Sequence, residues 1–196
     1  MDPRLKAKLN QIKLIVSDVD GILTDGTMFI GDGVELKQFT VEDGAGAAFS
    51  RLAGIPIALI SGRYSEATEI RAKEMKIEHC YQGSLDKLMP FGEICEFYKV
   101  APNEVAYIGD GLIDIPVMLK SGFSVSPQNG HQSAKDISDY ITEKYALLGL
   151  LKALAVEYAN KGITVNGISP GAIETKFNSE LPEFVIKQYS EGRVSG

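Results

Sequence analysis

Four short apolar runs, Leu14–Val16, Ile55–Ile60, Val105–Ile108 and Phe123–Val125, stand between turn residues, and helix-like segments separate them. Tyr140-Ile141 offers one more. That rhythm constrains the chain more than anything else in it, because buried strands alternating with helices make βαβ units and a parallel sheet covered on both faces. Helical spacing or composition marks Ala45–Leu52, Ser65–Met75, Leu85–Tyr98 and Asp114–Lys120 as the covering helices. The expected product is an α/β fold, a three-layer Rossmann-like parallel sheet with its site at the carboxyl ends of the strands.

One insertion breaks the rhythm after the first strand. Thr27–Ile30 and Val34–Phe39 are strand-prone runs around Gly31-Asp32-Gly33, which reads as a β-hairpin. A two-stranded ribbon is marginal alone, so it is expected to cover the site or to pair with another subunit.

The ends of the strands carry the chemistry. Asp18 and Asp20 leave the first apolar run two residues apart, so along an extended chain they converge while Val19 turns aside and offers its carbonyl. Crowded carboxylates repel unless a cation or a shared proton neutralises them. The second run delivers Ser61-Gly62-Arg63, where a hydroxyl, an unobstructed amide and a cation suit a phosphoryl oxygen. Lys87 opens a helical segment, and the third run delivers Asp110 and Asp114 in Gly109-Asp110-Gly111-Leu112-Ile113-Asp114. Few carboxylates and hard oxygen ligands favour Mg²⁺. Each piece has a bland alternative: an Asp/Gly turn for the first pair, a common turn tripeptide for Ser-Gly-Arg, solvated surface for Lys87, a helix N-cap for Asp114. The series together outweighs them.

Composition narrows the partners. A net charge of −6 argues against nucleic acid or an anionic membrane surface. Cys80 and Cys95 lack metal or redox spacing, and His79 and His131 stand apart in sequence, so no role is assigned to any of them. No leader opens the chain, and the longest apolar stretch, Ala146–Val156, is broken by Lys152, so a cytoplasmic protein without membrane attachment is expected.

In order and spacing, DVDGILTDG, ISGR, Lys87 and GDGLIDIPVM resemble the haloacid dehalogenase superfamily. Lys13 to about Thr142 resembles its capless phosphatases of 3-deoxy-manno-octulosonate 8-phosphate and related nine-carbon sugar acid phosphates, including VEDGAGAAF, RAKEMKI, YQGSLDK and DYIT. The resemblance implies no large cap domain and a phosphomonoesterase serving lipopolysaccharide biosynthesis. Asp18 would attack phosphorus to give an aspartyl-phosphate, and Asp20 would act as acid and then base. Mg²⁺ would be held by Asp18, the Val19 carbonyl and Asp110, with Asp20 beside it and Asp114 in support. Ser61, Gly62, Arg63 and Lys87 would bind phosphate or substrate, and the hairpins of four subunits would assemble a homotetramer.

Two departures matter. Glu42 stands where the octulosonate enzymes usually carry a basic residue, which puts the sugar acid in question, and Gly111 stands where an acidic residue is common. These motivate an alternative, a catalytically weakened phosphatase-like oligomerisation module. After about Thr142 the character also changes. Lys144–Lys161 reads as a Leu/Ala-rich helix and Ile163–Ile168 as a strand before Ser169-Pro170-Gly171, and this stretch resembles part of a short-chain dehydrogenase. Two units follow: a phosphatase domain over 1–143 and an extension over 144–196. Tyr140 and Lys144 form a YxxxK pattern where the two resemblances meet, but no glycine-rich fingerprint follows an early strand, so no dehydrogenase activity is expected.

Overall fold

The computed structural model describes residues 3–142. The helix, strand and turn expected beyond Thr142, and the extension they compose, lie outside the described residues. Within them the order is α1 (Pro3–Leu9), β1 (Leu14–Ser17), β2 (Thr24–Gly31), β3 (Val34–Phe39), α2 (Val41–Leu52), β4 (Ile57–Ile60) and α3 (Glu66–Glu74). Then come β5 (His79–Tyr81), α4 (Leu88–Tyr98), β6 (Val105–Ile108), α5 (Ile115–Lys120), β7 (Phe123–Pro127), α6 (Gln132–Ile137) and β8 (Tyr140–Thr142).

Six strands form one sheet in the order β5-β4-β1-β6-β7-β8, and every pairing in it is parallel. β1 is central, and its four residues are all buried because helices cover both sides of it. Alternation divides the core in two. Ile15, Ile57, Leu59 and Ile108 face Leu9, Ala47, Ala72 and Met75 of α1, α2 and their neighbourhood on α3. Leu14, Val16, Ala58, Ile60 and Tyr107 face Phe91, Ile94, Val117 and Ala134 of α4, α5 and α6. These are the three layers expected, and no cap domain stands over the strand ends among the described residues.

β2 and β3 make a separate antiparallel ribbon that joins β1 to α2. Its turn is two residues, Asp32 and Gly33, both at positive φ (51° and 78°), which matches the twist of a tight hairpin. β2 begins at Thr24, three residues before the apolar run, with the register irregular between Thr24 and Met28. Helix α2 also starts earlier than its apolar spacing implies. Thr40 caps it, accepting from the Asp43 amide at 3.3 Å and donating its hydroxyl to Asp43 Oδ2 at 2.7 Å. α4 starts later, at Leu88, because Asp86 accepts from the Leu88 amide at 3.1 Å and Ser84–Asp86 closes a turn before it. No helix among the described residues is long and apolar enough to cross a membrane.

Candidate active site

Parallel strands deliver their next residues to one rim of the sheet, and β1, β4 and β6 are adjacent there. After β1 the chain donates the Asp18 amide to Ile108 O at 2.9 Å, tying the two acidic strand ends together. One ligand oxygen from each of Asp18, Asp110 and Asp114 lies within 4.8 Å of the other two. Gly21 follows in the turn at φ +87°, and a Cβ there would stand 2.1 Å from Asp110 Oδ2. The first acidic loop therefore approaches the second only because it has no side chain at that point.

Lys87 enters from the start of α4 and is buried between two carboxylates. Its Nζ lies 2.9 Å from Asp18 Oδ1 and 2.8 Å from Asp114 Oδ1. The Tyr107 hydroxyl donates to the same Asp114 oxygen at 2.6 Å, while the amides of Asp110 and Gly111 donate to Asp114 Oδ2 at 3.2 and 2.9 Å. Asp114 is thus saturated with donors. Asp18 Oδ1 also accepts from the Val19 amide at 2.6 Å. By contrast, no other described residue donates to Asp18 Oδ2 or to the Asp110 carboxylate.

Burial sets the electrostatics. It raises Asp18 to about 7, aided by the Asp114 charge and opposed by Lys87 and the Val19 amide. Asp110 is raised to about 6 by burial and Asp114, against Lys87. Burial works against the Lys87 ammonium, but Asp18 and Asp114 outweigh it and hold its pKa above the usual value. Tyr107 is pushed well up by burial and the surrounding carboxylates, so its hydroxyl stays a donor. A buried carboxyl and a half-buried one, each with an oxygen that no other described residue donates to and each resisting ionisation, are a donor set that fits a hard divalent cation. Asp114 fits it as a support, since its own oxygens are taken.

The remaining residues divide. Ser61 is buried at the end of β4, and its hydroxyl lies 3.5 Å from Asp20 Oδ2. Gly62 is pressed so close to the loop after β6 that a Cβ would meet Ile113 Cδ1 at 2.9 Å. Arg63 turns outward, its guanidinium 2.9 Å from Glu35 on β3 and half exposed. Asp20 Oδ1 accepts from the buried Lys37 ammonium at 2.6 Å. The Val19 carbonyl accepts from the amides of Ile22, Leu23 and Thr24 at 3.3, 2.9 and 3.2 Å, which closes the turn after β1.

Comparison with known proteins decides the family. The 3-deoxy-D-manno-octulosonate 8-phosphate phosphatase KdsC of Salmonella typhimurium is 41% identical over 143 residues, 72% of this chain and 76% of its own length. The chain belongs to that phosphatase family. It is a phosphomonoesterase of the haloacid dehalogenase-like hydrolases, whose family model matches residues 60–154. KdsC of Escherichia coli strain K12 is 42% identical over 137 residues, 69% of this phosphatase and 73% of its own length. The Yersinia pestis phosphatase structure superimposes with a TM-score of 0.79 at 34% identity, covering 85% of this chain and 93% of that one. The Moraxella catarrhalis phosphatase, solved with a magnesium ion, a phosphate ion and KDO, gives 0.75 at 34% identity, with 81% and 92% covered. A second family model, enoyl-(acyl carrier protein) reductase, matches residues 119–193 and overlaps the hydrolase match.

Two residues of this phosphatase's site escaped the sequence reading. Tyr107 lies inside an apolar strand, where an aromatic ring reads as packing. Its signal was the lone hydroxyl in Val105–Ile108. Lys37 lies in the ribbon, and its signal was the alternation of Val34-Glu35-Leu36-Lys37, which puts Glu35 and Lys37 on one side.

Proposed function

We propose that the chain is a Mg²⁺-dependent phosphatase of a sugar acid phosphate, 3-deoxy-D-manno-octulosonate 8-phosphate or a related nine-carbon sugar acid phosphate, acting through an aspartyl-phosphate. The observation that carries this reading is Asp18: its Oδ1 is anchored by Lys87 and an amide, and its carboxyl stands within 4.8 Å of those of Asp110 and Asp114. As the carboxylate, Asp18 attacks phosphorus while the bond from phosphorus to the sugar oxygen breaks. Asp20 gives its proton to that oxygen, then takes one from the water that splits the acyl phosphate and frees inorganic phosphate. Ser61, the Gly62 amide and Lys87 hold the phosphoryl oxygens, while Arg63, beyond them, meets the distal part of the substrate. Asp18 and Asp110 hold the ion, with Asp114 steadying Lys87 and the Asp110 loop. When bound, Mg²⁺ neutralises the carboxylates and the transferring oxygens.

Gly111 gives its amide to Asp114, a contact that needs no side chain at position 111. Residues 1–143 carry the activity, and 144–196 form an extension outside it. The ribbon exposes Phe29, Ile30, Val34 and Leu36, which supports assembly into a homotetramer. The test is phosphate release from eight-carbon and nine-carbon sugar acid phosphates, with and without Mg²⁺. We expect release that needs the ion and vanishes in Asp18→Asn; full release by that variant removes the covalent step.

A further inference from the structure

Lys37 comes from the ribbon, not from the strand ends that build the phosphate cradle, yet its side chain has no exposure to solvent. Its ammonium lies 2.6 Å from Asp20 Oδ1, 3.4 Å from Thr68 Oγ1 and 3.8 Å from Glu35 Oε1. A lysine withdrawn from water in this way needs acceptors for its protons, and Asp20 Oδ1 is the nearest of them. Glu35 is only a distant second partner, being engaged by Arg63 at 2.9 Å. Among the described residues the one hydrogen-bond donor to the other Asp20 oxygen, Oδ2, is the Ser61 hydroxyl, at the 3.5 Å limit of a hydrogen bond.

We infer that Lys37 is a positioning residue for proton transfer: by gripping Oδ1 it fixes the rotation of Asp20 and leaves Oδ2 as the oxygen that exchanges the proton. The inference rests on Asp20 being the acid of the proposed reaction. In that step the bond between Asp20 Oδ2 and its proton breaks as the phosphorus–oxygen bond to the sugar breaks. The proton joins the leaving oxygen, which keeps the electron pair of its bond to phosphorus, and Asp18 forms the new bond to phosphorus. Lys37 keeps its protons throughout and faces the Asp20 anion when the transfer is over.

A misaimed acid hurts poor leaving groups and spares good ones. The parameter kcat/KM reports only steps up to departure of the leaving group, so it isolates this role from the later hydrolysis. Lys37→Met keeps the length and packing of the stem. Against the fastest sugar acid phosphate of the panel above, it is expected to lose roughly 10–100-fold in kcat/KM, a part of the 10²–10⁴ that a positioned acid contributes. Against p-nitrophenyl phosphate, whose leaving group needs no proton, the loss is expected to stay within about threefold on the same reasoning. Asp20→Asn is the reference and should show the same selectivity, more strongly. Adding Lys37→Met to Asp20→Asn should cost nothing further, since Lys37 works only through Asp20.

Equal losses on both substrates in Lys37→Met, or no loss, with Asp20→Asn still selective, overturn the positioning role. Lack of selectivity in Asp20→Asn itself instead overturns the reading of Asp20 as the acid. Should Lys37→Met melt early, Lys37→Gln, which retains a donor on a shorter stem, carries the same comparison, and its selective loss or lack of one decides in the same way.

Discussion

Lys87→Met is the most direct probe of how the buried charges balance. One ammonium serves Asp18 and Asp114 at 2.9 and 2.8 Å with no access to water. Removing one partner of a buried ion pair costs about 3–5 kcal/mol, because the other charge is left without compensation. Here the lower end applies, because Asp114 keeps its hydrogen bonds from Tyr107 and two amides. Asp18 also has an escape. Burial lifts it from the ordinary 3.8 to about 7, so the fold prefers its protonated form. A carboxyl with a raised folded pKa contributes most below the unfolded value, and that contribution is lost as pH rises from 3.8 through about 7. Without Lys87 the folded value climbs further, and the loss continues to higher pH. Urea denaturation in EDTA at pH 5, 6, 7 and 8 should therefore show a deficit that grows with pH, reaching about 3 kcal/mol at the alkaline end. In a domain of this size that is roughly a 12 °C fall in melting temperature. A deficit independent of pH, or none, would refute this account of the buried charges.

Two further variants address neighbouring groups. Asp43 is buried and raised to about 6 from 3.8, burial outweighing the Thr40 hydrogen bond and the Arg71 charge, so ionising it as pH rises through that window costs stability. Asp43→Asn keeps an acceptor for Thr40 and should exceed the parent by up to about 3 kcal/mol at pH 8 while matching it near pH 4; denaturant midpoints at the two pH values check this. Tyr107→Phe leaves the ring edge-on to Phe91 but deletes the donor to Asp114, a bond to a charged group worth about 1.5–3 kcal/mol. Chemical denaturation of that variant should show a loss of this size, and an unchanged midpoint would mean that Asp114 does not depend on the hydroxyl.

What could be read from the chain followed from period and punctuation. Apolar runs bounded by turns located β1, β4, β6 and β7, because strands buried on both faces have no polar interruption. β5 left little trace: His79-Cys80-Tyr81 is a half-buried edge of three residues, with the histidine packed against Phe97 and Tyr98. α1 and α6 are short, and little of either is buried, so their apolar signal is weak. Within the candidate site, spacing along the chain singled out Asp18, Asp20, Ser61, Lys87, Asp110 and Asp114, which the fold brings to one rim of the sheet. It did not show how the hydrogen bonds are shared. That Asp114 is saturated, that the Val19 carbonyl closes a turn, and that Arg63 faces Glu35 are properties of three-dimensional neighbours, which no local pattern encodes.

The parity of β3 has a consequence of its own. Val34 and Leu36 lie open on one side of the strand, while Glu35 and Lys37 hold Arg63 and Asp20 on the other. Even-numbered positions can therefore drift toward new neighbours without touching the odd-numbered contacts to Arg63 and Asp20. A one-residue insertion in the ribbon would exchange the two sides and sever both at once.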